Sequence, residues 1–257
     1  MGPKTLDNAT LNLGNINAAF PKHGFTNKSH IFSAIAQHDL SELRAISNFY
    51  YNISGIYERI CRYFAFLYRY DWYVVPQQNS DKDPAEKVLI DFSKALDYLD
   101  NSYIRKMCGD IALSVIKDGA YYGYLVDNKK QVLLQQLPIA YCRSRYSVAG
   151  KPAIEFNMKF FDTFADTAYR MKILNLFPDE FKKGYALYKQ GKLPADTSTA
   201  QGILSLAISD TKCGSWYLLD TNCAVKFNLN GDDTPLFINA IPYLLDLEAA
   251  QDLDRRR

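Results

Sequence analysis

Three histidines, His23, His30 and His38, are the side chains best suited to general-base or metal chemistry in this chain. All three precede the long helical pattern that begins at Leu40, and no carboxylate or cysteine partner stands at ligand spacing around them. They read as surface or packing residues. A second constellation is Asp179, which follows Pro178, and the later Asp210-Thr211-Lys212. Asp179, Asp210 and Lys212 spell the loose pattern of a metal-dependent nuclease, two carboxylates and a lysine around a magnesium ion. That chemistry wants the acids on adjacent strands, whereas Asp179 stands in the first turn of a helical pattern, where the dipole alone favours an acid. Helix capping and chance explain the match, and the nuclease is the lesser alternative. No Walker A loop, GxGxxG or GxSxG is present. The chain is therefore expected to be no enzyme, with no catalytic, cofactor-binding or metal residues and no cofactor.

Arginines interleaved with tyrosines are the other chemistry-bearing pattern: Arg59, Arg62, Tyr63, Tyr68, Arg69 and Tyr70, then Tyr141, Arg143, Arg145 and Tyr146. Such a set can grip phosphates and stack on bases. It can equally pack along an oligomer interface with its charges paired. Thirty basic residues against 28 acidic ones leave a net charge of only +2, which favours the interface reading. Arg59, Arg62, Tyr63, Arg69, Arg143 and Arg145 are thus candidate subunit-interface or DNA-facing residues, with a nucleic-acid-binding adaptor as the alternative function. Nineteen tyrosines and 15 phenylalanines point the same way, because tyrosine joins a large apolar area to a polar tip.

The elements that must position these residues are organised around Leu40 to Pro76. Leu40, Leu43, Ile46, Phe49, Ile53, Ile56, Ile60, Phe64 and Leu67 recur in steps of three and four, one stripe along a helix. Gly55, after Asn52 and Ser54, divides it into two helices. The second carries rings and guanidiniums around most of its circumference, so neighbours are expected on more than one side. Before it, Asn27 or Ser29 caps a short helix to about Gln37, and Asp39 or Ser41 caps the organising one. After it come a short extended segment from Tyr70 to Val75, a helix opened by Asp83-Pro84, and another ending at Gly119.

From Ala120 the period changes to two, giving one hairpin around Asp127 to Lys130 and a second around Gly150-Lys151-Pro152, together a sheet of about four strands. Thr163 to Leu176 and the segment after Pro178-Asp179 read as helices, and Ile203 to Ile208 as a short strand. WYLLD and AVKFNLN form a further strand pair, and Pro235 leads into a helical pattern that stops without a cap, as if the natural product were longer. The expected fold class is α+β, helical segments packed on antiparallel β-hairpins. Residues 1–27 are expected to be a flexible arm, 28–235 an α+β domain, and 236–257 the start of a further helix. Five scattered cysteines without a CxxC read as reduced, mostly buried thiols. The start lacks the layout of a signal peptide, and no apolar run is long enough to cross a membrane, so the protein is expected in the cytosol or in something assembled there.

The order LRAISNFYYNISGIYERICRYFAFLYRYDWYVVP, a helical hairpin, LLQQLPIAYCRSRY, the glycine turn at Gly150 and IEFNMKFFD resembles portal proteins of tailed bacteriophages, particularly those infecting Gram-positive bacteria. Trp216 to Leu219, Pro235-Leu236-Phe237 and IPYLLDLEAAQDLD resemble the same family's path towards its stem. The resemblance implies a homo-oligomeric ring, usually of twelve subunits, at one vertex of the virion capsid, assembled in the host cytoplasm. It further implies double-stranded DNA passing through the ring and partners in the terminase large subunit, a head-tail adaptor and the major capsid or scaffold protein, with no membrane. Residues 28–235 would form the wing of that ring, and those from Leu236 onward would head for the channel.

Overall fold

The computed structural model describes residues 27–67, 74–76, 85–127, 132–148, 150–194, 214–229 and 231–255. The extended segment expected at Tyr70 to Val75, the Asp83-Pro84 cap, the strand at Ile203 to Ile208 and the N-terminal arm fall wholly or largely outside them. The fold is mixed α+β with antiparallel sheets. No helix among the described residues is long and apolar enough to cross a membrane.

Helix α1 (Lys28–Gln37) opens where the Asn27 side chain accepts from Ser29 N, and α2 (Leu40–Ile53) opens where Asp39 accepts from Ser41 and Glu42 N. His38 takes the left-handed conformation between them, φ 53°, which turns the chain within two residues. Ser54 then breaks the organising stretch. Its extended backbone ends α2, and its hydroxyl caps α3 (Gly55–Phe66) by accepting from Tyr57 N. Helix α4 (Ala85–Asn101) and helix α5 (Ile104–Asp118) follow, α5 closed by Gly119 at φ 83°. A Cβ on that glycine would lie 2.0 Å from the Asp233 carbonyl oxygen, so both the turn and the close approach exclude a side chain there.

Strands β1 (Ala120–Asp127) and β2 (Val132–Gln136) form the first hairpin, β3 (Cys142–Val148) and β4 (Lys151–Asn157) the second. After them come α6 (Lys159–Asp162), α7 (Thr167–Leu176) and α8 (Asp179–Lys189). The single helix expected from Thr163 is thus displaced, because Asp166 caps α7 through Ala168 N. Strands β5 (Trp216–Leu218) and β6 (Ala224–Asn228) precede a 3-10 turn at Ile238–Ala240 and helix α9 (Ile241–Arg255). The expected four-stranded sheet is not formed. The hairpins separate into two three-stranded sheets, β2-β1-β6 and β3-β4-β5, so β5 and β6 are not each other's partners. A five-residue connection, Leu219 to Cys223, hands the chain from one sheet to the other, and period-two patterning alone does not specify a strand's partner.

Two compact units emerge from this chain. The helical unit holds α1 to α5, Ala120–Tyr121, Asp127–Gln136 and everything described from Phe227 on. Its core joins Ile31 of α1, Leu43, Ile46 and Tyr50 of α2, Tyr57 and Cys61 of α3, Ile116 of α5 and Ile241 of α9. The sheet unit holds Tyr122–Val126 and Leu137–Lys226. Phe156 of β4 is its centre, with ring centroids 5.7, 6.0, 6.4 and 5.2 Å from those of Phe160, Phe161, Phe177 and Phe181. Each such ring pair contributes roughly 0.5–1.5 kcal/mol beyond the area it buries.

Candidate interface surfaces

Helix α3 presents three of the six candidate residues, Arg59, Arg62 and Tyr63, and a polar network holds the layer behind it. The last carbonyls of α5 have no partner within their own helix. Arg44 and Ser47 of α2 supply one: Arg44 Nε donates to Asp118 O at 2.9 Å and Ser47 Oγ to Lys117 O at 2.6 Å. Having spent its proton there, the Ser47 hydroxyl accepts from Tyr57 Oη at 2.9 Å, which brings α3 into the same network. Asn48 Nδ2 donates to Asp118 Oδ1 at 2.7 Å, Lys117 Nζ donates to Asn48 Oδ1 at 2.8 Å, and Lys117 lies 3.6 Å from Asp118 Oδ2. Burial, only partly opposed by the Ser47 hydrogen bond, pushes the Tyr57 hydroxyl well above its usual range, and burial pushes the Cys61 thiol up to about 11. Both stay protonated at neutral pH, as a structural donor and a packed thiol.

With Tyr57, Cys61 and Ala65 buried at steps of four, the opposite side of α3 is fixed outward. Arg59, Arg62 and Tyr63 are exposed there. Arg62 Nε reaches Tyr51 Oη at 3.3 Å and Glu58 Oε1 at 3.4 Å. Arg69 lies outside the described residues. Coverage on several sides, expected from the ring of aromatics, is replaced by one packed side and one open side. Ile56, Tyr63, Phe64 and Leu67 are all substantially exposed, although Phe64 still meets Phe237 at 5.1 Å between centroids.

The second basic pair has a different fate. Arg143 and Glu155 are directly opposite across β3 and β4, and Arg145 falls in the register shift between Ser144 and Tyr146. Arg143 Nε donates to Glu155 Oε2 at 2.6 Å, while Arg145 takes the same carboxylate with Nε at 3.0 Å and Nη2 at 2.9 Å. The Arg143 guanidinium also lies 3.8 Å from the centre of the Trp216 ring. Glu155 is buried, so the two arginines neutralise a desolvated carboxylate within the sheet. Sequence spacing singled out the arginines but not Glu155, because one acid among 28 acquires meaning only from strand register.

Asp179 is exposed in the first turn of α8, 2.8 Å from Lys182 Nζ, whose hydrogen bond holds its carboxyl below the ordinary carboxylate value. Asp210 and Lys212 lie outside the described residues. Among the described residues no group of three or more His, Cys, Asp or Glu side chains is arranged to hold a metal ion. A shallow polar pocket of about 240 Å³ in the helical unit, lined by Ile35, His38, Leu43, Asp232 and Thr234 among others, is smaller than the usual small-molecule site. Of the four described cysteines, all free thiols, Cys61 and Cys142 are buried, Cys223 is half-buried and Cys108 is exposed, so burial among them is less general than expected, and Cys213 lies outside the described residues. The network residues Asn48, Lys117 and Asp118 were not singled out in the sequence. Their only signal there was an Asp at a helix C-terminus, where the dipole disfavours it without a compensating cation.

No family model, curated protein or solved structure matches this chain.

Proposed function

We propose that this chain is a portal protein of a tailed bacteriophage: a subunit of a homo-oligomeric ring at the capsid vertex, through which DNA is packaged and ejected. On this reading the terminase large subunit and a head-tail adaptor dock on the ring, and the chain itself performs no catalysis. The support is the order of motifs from Leu40 to Asp254 together with one structural observation. That observation is the open side of α3, where Ile56, Tyr63 and Leu67 stand in water beside Arg59 on a helix whose other side is locked into a core. Exposed aromatic and aliphatic residues with an arginine among them are the composition of a protein interface core. A passage for DNA benefits from few fixed phosphate contacts, since each one makes binding tighter and salt-dependent. The pairing of Arg143 and Arg145 with Glu155 agrees with that requirement.

Sedimentation velocity over a concentration series, run beside DNA binding at several salt concentrations, tests the reading. A large closed species with weak DNA affinity is expected. A monomer whose DNA affinity falls steeply with salt would favour an adaptor instead, and magnesium-dependent DNA cleavage lost on Asp179→Asn would favour the nuclease.

A further inference from the structure

Helix α4 is the counterpart of α3 in being left open. None of its residues from Glu86 to Asn101 is buried, and the half-buried Val88, Phe92, Leu96 and Leu99 recur at steps of three and four along one side. The neighbouring flank carries Leu89, 60% exposed, and Ile90, 50% exposed, among the carboxylates of Glu86, Asp97 and Asp100. At 100° per residue these five positions fall within one flank about 100° wide; Lys87 lies beyond its edge, and Lys94 borders it one turn from Ile90, its ammonium paired with Asp91. This flank is apolar and acidic. The open stripe of α3 holds Ile56, 41% exposed, Arg59, Tyr63, 64% exposed, and Leu67, with Arg62 at its border. Its one acid, Glu58, projects elsewhere and pairs with Arg62. This stripe is apolar and basic.

The two surfaces are complementary in charge and alike in their exposed apolar content, and they belong to different helices of the same unit. The geometry points to a head-to-tail contact between copies of this chain, in which the outward stripe of α3 on one subunit receives the Glu86–Leu89–Asp97 flank of α4 on the next. A contact between two different surfaces of one chain is heterologous, and repetition closes it into a ring when the rotation allows. Arg59 and Arg62 fix register and orientation against the carboxylates, while Tyr63 and Leu89 supply the desolvated centre. The inference rests on the ring-forming reading above and names the surfaces that form the joint.

A charge-swap complementation experiment tests it. Variant one carries Arg59→Glu and Arg62→Glu; variant two carries Glu86→Lys and Asp97→Lys. All four positions are exposed, so circular dichroism and thermal unfolding are expected to match the wild type. Each variant alone is expected to lose assembly in sedimentation velocity, because like charges then face each other at every joint. An equimolar mixture is expected to recover it, since every joint in an alternating chain is either native or fully swapped. Tyr63→Ser is an independent check that introduces no charge, and a large drop in assembly is expected. Assembly retained by both charge variants and by Tyr63→Ser would overturn this joint while leaving the ring reading intact. A wild-type chain that stays monomeric would overturn both. Loss in each variant without recovery in the mixture would also overturn the pairing of these two faces.

Discussion

The two units use the same kind of residue for opposite purposes. In the sheet unit, Phe156, Phe160, Phe161, Phe177 and Phe181 pack in edge-to-face and tilted pairs around one another and all are buried. In the helical unit the core is mainly aliphatic with Tyr50 and Tyr57, while Tyr63, Tyr103 and Tyr243 stand outside it. The sheet unit gathers five phenylalanines into its core and leaves Tyr146 and Tyr169 outside it, while the helical unit buries Tyr50 and Tyr57 and leaves Tyr63, Tyr103 and Tyr243 on the surface. The polar ties differ too. The helical unit is fastened by a network on the last carbonyls of α5, whereas the sheet unit sets single acids among paired partners: buried Glu155 between two arginines, and half-buried Glu180 accepting from Tyr124 Oη at 2.5 Å and Asp220 N at 2.8 Å. A high aromatic content therefore says nothing of where the aromatics go; helix phase and neighbouring elements decide.

The contrast breaks most sharply at Phe156. Phe156→Ala removes the ring on which four others pack, and a loss of about 3–5 kcal/mol is expected in urea unfolding. A loss below about 1 kcal/mol would mean that the cluster is not the core of that unit. In the helical unit, Gly119→Ala forces a side chain into the Asp233 carbonyl at a positive φ, and a cost of roughly 1–3 kcal/mol from backbone strain alone is expected, with thermal unfolding as the readout. Ser47→Ala strands the Tyr57 hydroxyl and the Lys117 carbonyl, for which a loss of about 1–3 kcal/mol is expected. Tyr63→Ser should shift stability by no more than about 0.5 kcal/mol, because the ring has no place in the core, yet should impair assembly.

The smallest effect is a pH dependence. Burial pushes the Asp162 carboxyl up, but hydrogen bonds from Lys189 and Tyr185 outweigh it and hold the group below its ordinary value of 3.8. A group depressed in the folded state stabilises above the unfolded value and loses that contribution as the pH falls through the folded one. Asp162→Asn should therefore lower the melting temperature slightly at neutral pH and flatten its fall below about pH 4, with little difference left at the acid end.

Much of the helical framework was legible because caps and stripes are local. Asn27, Asp39 and Gly119 act at the positions their chemistry suggested, and the break at Ser54-Gly55 divides the organising stretch as its composition implied. Pairings between distant segments were not legible. WYLLD and AVKFNLN each have strand character, yet which sheet receives each depends on the short connection between them and on edges presented far away in sequence. The same limit hid Glu155 and Asp118, whose roles depend on what lies opposite, and it left α3 expected to be covered on sides that the fold leaves open. Of the residues expected at a subunit interface or facing DNA, Arg59, Arg62 and Tyr63 are exposed on α3, whereas Arg143 and Arg145 pair with the buried carboxylate of Glu155.

Negative-stain electron microscopy of the purified chain, with its solution mass measured on the same sample, addresses the central claim most directly. Rings with a central hole and a mass that is a whole multiple of the 29.3 kDa chain are the predicted result. A stable monomer at micromolar concentration, with no closed particles in the images, would contradict it.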